Sequence, residues 1–148
     1  MPQFARPDAD TFNGDLWTED DGTSDALWGE IDEVTADDAD FVRSPVTPTL
    51  DVYVARLSDV TDPSSSTGHI MRMRTSADLD NQETIDFTQQ LRQAYVNEAG
   101  QGTLIASQSR NGVTSTTWTT SAYTLAGAEA DAITDYTALF FRFIANKP

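Results

Sequence analysis

The chain has 148 residues, 24 Asp and Glu against 9 Lys and Arg, one His and no Cys, for a formal net charge of -15. That length suits one domain, which by surface scaling buries roughly 68–70% of its unfolded surface; the missing Cys excludes a disulfide framework, a Cys-ligated metal and a thiol nucleophile. Nucleic acid and anionic membranes, both recognised with Lys and Arg, are disfavoured partners, and no apolar run approaches the ~18 residues of a membrane span or forms the core of a signal peptide, so a soluble product without an export signal is expected.

Composition points to an all-β domain. Twenty Thr and eleven Ser accompany Val, Ile, Tyr, Phe and Trp in short runs, as a half-buried pleated surface selects. The basic residues are eight Arg and Lys147. An acidic, Lys-poor surface stays soluble at high ionic strength, and a GC-rich genome produces the same exchange of Lys for Arg.

Thirteen of the 24 acids lie between Asp8 and Asp40, so the first forty residues read as an acidic lobe. Residues 1–13, with Pro2 and Pro7, are expected to form an extended arm, and 14–148 the domain. Gly14 to Thr18 suggests a short strand. Ser24 or Asp25 can cap a helix from Ala26 to Val34, because Leu27, Ile31 and Val34 recur at helical spacing. Pro45 and Pro48 forbid a regular central strand after Phe41-Val42-Arg43-Ser44. From residue 50 the period becomes two: Leu50 to Leu57 and His69 to Thr75 are strands joined through Asp62-Pro63 by a hairpin or a longer arch. A polar break from Ala77 to Glu83 precedes a strand from Thr84 to Arg92, with Ile85, Phe87 and Leu91 on one face. Asn97 to Gly102 turns into a strand at Thr103 to Ser107, and Asn111-Gly112 is the strongest short-range turn signal. Thr116 to Leu125 reads as a strand, Ala126 to Tyr136 as one or two helical turns, and Leu139 to Ala145 as a central strand covered on both faces. The sum is a single-domain antiparallel β-sandwich of jelly-roll or Greek-key type, with about eight strands and one or two short helices.

Chemistry-bearing patterns are sparse. His69 is the one imidazole and no Gly-x-Ser-x-Gly elbow accompanies it, so a hydrolase triad is not indicated and no catalytic residue is assigned. Acidic loops offer oxygens for a structural calcium, with Asp20, Asp21, Asp37 and Asp38 as candidate ligands beside Asp8 and Asp10, but no EF-hand register fits and a solvated acidic face accounts for the same residues. Arg56, Arg72, Arg74, Arg92 and Arg142 all fall inside strands. They form either a basic stripe that docks an acidic segment, this chain's own amino-terminal lobe or a neighbour's, or ordinary solvent-facing arginines whose stems cover apolar surface. Trp17, Trp28, Trp118, Tyr53 and Tyr123 suit either a sugar-stacking platform or a sandwich core.

The succession Leu16-Trp17-Thr18, Leu27-Trp28-Gly29-Glu30-Ile31-Asp32-Glu33 and Asp37-Asp38-Ala39-Asp40-Phe41-Val42-Arg43-Ser44 resembles small proteins encoded among the virion structural genes of tailed bacteriophages. Leu57 to Pro63, Ser66-Thr67-Gly68-His69, Trp118-Thr119-Thr120, Tyr123-Thr124-Leu125 and Ile133-Thr134-Asp135-Tyr136 extend that resemblance over about residues 14–145, and Gln93 to Gly102 departs from it as a lengthened hairpin. The resemblance implies a virion component made in the host cytoplasm, with no catalytic residues or cofactor to transfer. A capsid decoration (cement) protein is expected, binding the major capsid protein or other virion proteins and clustering as a homo-oligomer, a trimer for instance. The alternative is a receptor- or carbohydrate-binding module of the tail or its fibres; a small carbohydrate-active enzyme is a third.

Overall fold

The computed structural model describes residues 3–14, 16–77 and 84–148. The readings that fell on residues 1–2, 15 and 78–83 lie outside the described residues. Seven strands are present among the rest: β1 (Pro7–Asn13), β2 (Thr49–Leu57), β3 (Ile70–Thr75), β4 (Ile85–Gln93), β5 (Thr103–Val113), β6 (Thr119–Thr124) and β7 (Leu139–Asn146). They form an all-β, sandwich-like fold of two antiparallel sheets, ordered β1-β2-β7-β4-β5 and β3-β6. The apolar run of β7 lies between β2 and β4, at the centre of the large sheet, as its composition requires.

Alternation divides the large sheet cleanly. Tyr53, Ala55 and Leu57 of β2 point inward with Phe141, Phe143 and Ala145 of β7 and with Phe87, Gln89 and Leu91 of β4, while Val52, Val54, Arg56, Arg142 and Ile144 share the outer face. Two covers meet on the inner face. The β3–β6 pair lays Met71 over Leu57, Leu91 and Leu139, joined by Leu125 and Ile133. The acidic lobe lays Trp17, Leu27, Ile31 and Val42 over Tyr53, Ala55, Phe143 and Ala145. The second layer is therefore half sheet and half lobe, with a seam between them.

Several local expectations are corrected. The expected arm is an edge strand from Pro7 onward, because β1 pairs with β2 through Pro7↔Leu57 to Asn13↔Tyr53. The segment around Trp17 contributes one isolated bridge, Thr18↔Arg43: the Asn13 side chain holds both the Trp17 N–H (2.9 Å) and its C=O (2.8 Å), turning the indole into the core. The first helix shrinks to a 3₁₀ turn, Leu27–Ile31, entered through a left-handed Ala26 with no side-chain cap, whereas the second is present as the expected short helix, α1 (Gly127–Asp131). β2 and β3 lie in different sheets, so their connection is an arch. Asn111-Gly112 makes no turn. It sits near the end of β5, where the register shifts between Ile85↔Val113 and Phe87↔Arg110, and Gly112 supplies the positive φ of 68° that such a bulge needs.

Candidate functional site

The five strand arginines do not form one stripe. Arg56, Arg92 and Arg142 lie on the outer face of the large sheet, whereas Arg72 and Arg74 lie on the outer face of β3, across the sandwich. The structure brings together only Arg92 and Arg142. Arg142, almost fully buried at 9% exposure, grips Glu98 through Nε to Oε1 (3.0 Å) and Nη2 to Oε2 (2.6 Å). Tyr95 donates its hydroxyl to the same carboxylate, and Arg92 donates to Gln90 and to the Gln101 carbonyl. Arg142, followed by the Tyr95 hydroxyl, holds the Glu98 carboxyl below the usual glutamate range against the opposing effect of burial. Burial and the Glu98 charge push the Tyr95 phenol up.

Glu98 and Tyr95 were not singled out by the sequence. They belong to the 94–102 connection, the lengthened hairpin, which folds back over the sheet and packs Tyr95 on Val52, Val54 and Phe140. An aromatic in an otherwise polar turn was the one available signal. Gly102 makes the fold-back possible: at φ 64° its Cα approaches the Gln93 and Ala94 backbone so closely that a Cβ would collide with it.

The remaining stripe residues split between own-chain docking and exposure. Arg74 donates from Nε to Asp38 Oδ1 (2.7 Å) and from Nη2 to Asp38 Oδ2 (2.8 Å), tying β3 to the acidic lobe. The hydrogen bonds to Arg74 hold the Asp38 carboxyl below the usual range. Arg56 pairs with Asp59 (2.8 Å) and lies 3.7 Å from Asp8. Arg72 is exposed, and among the described residues its guanidinium has no acidic partner.

Three of the four proposed calcium ligands already accept hydrogen bonds within the chain. Asp38 is held by Arg74, Asp37 accepts the Ala39 N–H, and Asp21 accepts the Thr23 N–H. No group of three or more carboxylate or imidazole side chains converges among the described residues, Asp20 included. The aromatics do not line up as a platform either. Trp17 and Tyr53 are core residues, 2% and 0% exposed, and Trp118 packs its ring on Phe41 of the lobe. The Tyr53 hydroxyl donates to Asp10 (2.6 Å), which also accepts the Trp28 N–H; burial, then Asp10, pushes that phenol far up.

The seam between lobe and β3 is closed at one end by Arg74 and Asp38 and by Phe41 on Trp118. At the other end it opens as a cleft of about 710 Å³, floored by Leu57, Leu91, Leu139 and Phe141 and walled by Ile31, Glu33 and Val34 on one side and Ile70 to Arg72 on the other. His69 shares a 2.7 Å hydrogen bond with the Tyr136 hydroxyl there. Two polar atoms in this cleft, Glu33 Oε1 and His69 Nδ1, are buried without a hydrogen-bond partner. Burial, with Asp40, Asp32 and Asp37 nearby, pushes the Glu33 carboxyl up despite its own backbone hydrogen bond. Neither Glu33 nor the cleft was legible in the sequence, where Glu33 is one acid among many.

No protein-family model, curated protein or solved structure matches this chain.

Proposed function

We propose that this chain is a non-enzymatic bacteriophage virion protein that decorates the capsid as cement, attaching from the outside to the major capsid protein. The observation that carries the reading is the clamp from Arg74 to Asp38. It fastens the acidic lobe to the β3–β6 sheet and, with the Trp17 and Leu27 packing beneath, gives the molecule an acidic exterior of fixed shape. Such a surface suits repeated low-affinity attachment, because many copies on one shell multiply modest contacts. The resemblance over about residues 14–145 supports the same reading. Arg72, exposed and without an acidic partner among the described residues, is the stripe residue left to meet an acidic neighbour.

Quantitative mass spectrometry of purified particles tests this. A copy number of the order of the capsid protein, with binding to expanded heads, is the expected result. A few copies per particle would favour the tail module, and absence from particles would remove both. Arg72→Glu is expected to weaken head attachment with circular dichroism unchanged. Arg74→Glu is a poorer probe, since it also breaks the pair with Asp38.

A further inference from the structure

The free edge of β3 faces the open end of the seam. Leu125 donates its N–H to the His69 carbonyl (2.9 Å), which sets the alternation of the ladder to β6: Met71 and Met73 bond to β6, and Ile70 and Arg72 direct their backbone groups away from it. Gln89, rising from the floor, takes the Arg72 carbonyl (3.2 Å). The Ile70 N–H and C=O and the Arg72 N–H have no protein partner among the described residues. Three large apolar side chains stand exposed at the rim of the same cleft, Phe4 (57%), Val34 (86%) and Ile70 (45%).

We propose that this cleft takes an extended segment of a partner polypeptide, which adds a strand to β3, lays alternate apolar side chains on the floor, and brings a Lys or Arg to Glu33. Backbone pairing supplies affinity in this mode and the alternating pockets supply selectivity. The basic residue follows from charge: Glu33 Oε1 is buried without a donor, Asp40, Asp32 and Asp37 add negative potential around it, and the Arg6 guanidinium that also lines the cleft donates to the Asp32 carbonyl. A second copy of this chain is the poorer occupant, since each carries a net charge of -15 and would set Arg72 and Arg74 against their own images at the shared edge.

A displayed library of random short peptides, selected on the purified full-length protein, should enrich sequences with apolar residues at alternate positions and a Lys or Arg among them. Amide exchange followed by NMR reads the mode. The selected peptide should slow exchange at Ile70 and Arg72 by about tenfold or more and leave Met71 and Met73, already bonded to β6, unchanged. Ile70→Pro removes one edge donor without touching the β6 ladder, and should weaken binding about tenfold. Glu33→Gln should weaken it and flatten its dependence on salt; this variant serves where the proline variant fails to fold. No enriched pattern, enrichment of helical spacing, or unchanged exchange at Ile70 and Arg72 would overturn the proposal. So would protection of those amides in the free protein together with a dimer in sedimentation, which would place a second copy at the edge.

Discussion

Arg142 and Arg74 each hold a carboxylate with two short hydrogen bonds, yet the two pairs occupy different physical environments. Arg142 and Glu98 have side chains 11% and 30% exposed and sit inside a network with Tyr95, Gln90, Gln101 and Arg92. Arg74 and Asp38 are 32% and 47% exposed, and among the described residues the side-chain network extends from Arg74 to the Thr120 hydroxyl and no further. In the first case water is displaced, so a lost partner leaves a buried charge, at a cost of several kcal/mol by analogy with buried pairs. In the second, water replaces the partner and salt screens the attraction. Equal geometry thus does unequal work: one pair anchors a loop to the sheet, and the other latches the acidic lobe to β3.

The contrast can be broken from its strong side. Gly102→Ala should have the largest effect, because the added Cβ meets backbone that cannot swing away and the residue must hold a left-handed conformation. A loss of about 3–4 kcal/mol is expected, seen as a fall in Tm on the order of 10 °C; an unchanged Tm would mean that the 94–102 connection does not depend on this turn. Glu98→Ala comes next, at about 2–3 kcal/mol, since it strands the Arg142 guanidinium. A double-mutant cycle on Arg142 and Glu98 should give a coupling that survives added salt, whereas Arg74→Ala should lower Tm slightly at low ionic strength and not measurably at about 1 M salt. Equal salt sensitivity of the two pairs would erase the distinction.

Acid titration sharpens the comparison through sign. Glu98 and Asp38 have folded pKa values below their unfolded ones, so their stabilisation is present above the ordinary carboxylate range and is lost as pH falls through the lowered folded values. Glu33 is the reverse: its folded pKa is raised, so the folded state holds the proton more tightly and stability from this group declines as pH rises through the raised value. Glu33→Gln should therefore melt slightly above the parent at neutral pH, with the difference closing as pH falls below the ordinary glutamate value of 4.5. A gap that widens on acidification would contradict the burial of Glu33. The smallest effect is expected from a chelator. With Asp38 held by Arg74 and Asp37 and Asp21 capping their own loops, Tm should not move, and a fall would return the acidic loops to the cation reading.

Legibility in the sequence followed the range of the interactions. β2, β3, β4, β6 and β7 were readable because alternation along a few residues reports a pleated surface directly. The 3₁₀ turn at Leu27 was overestimated, since helical spacing of apolar residues also describes a segment that merely drops Leu27 and Ile31 onto a sheet. Asn111-Gly112 misled for a related reason: the left-handed glycine a turn requires is also what a bulge in β5 requires. The arginines shared only their strand positions. Their separation onto opposite outer faces, and the meeting of Arg142 with Glu98 forty-four positions earlier, depend on which strands pair.

The sequence by itself determined an acidic, cysteine-free β protein with its charge gathered in the first forty residues, because composition and short-range periodicity are properties of the chain read alone. Only the tertiary structure decided that this lobe serves as half of the second layer, that one carboxylate oxygen is buried at the seam without a partner, and that the edge of β3 stays open beside it. Those are relations between segments far apart in the chain, set by layer packing and hydrogen-bond alternation, and no local pattern encodes them.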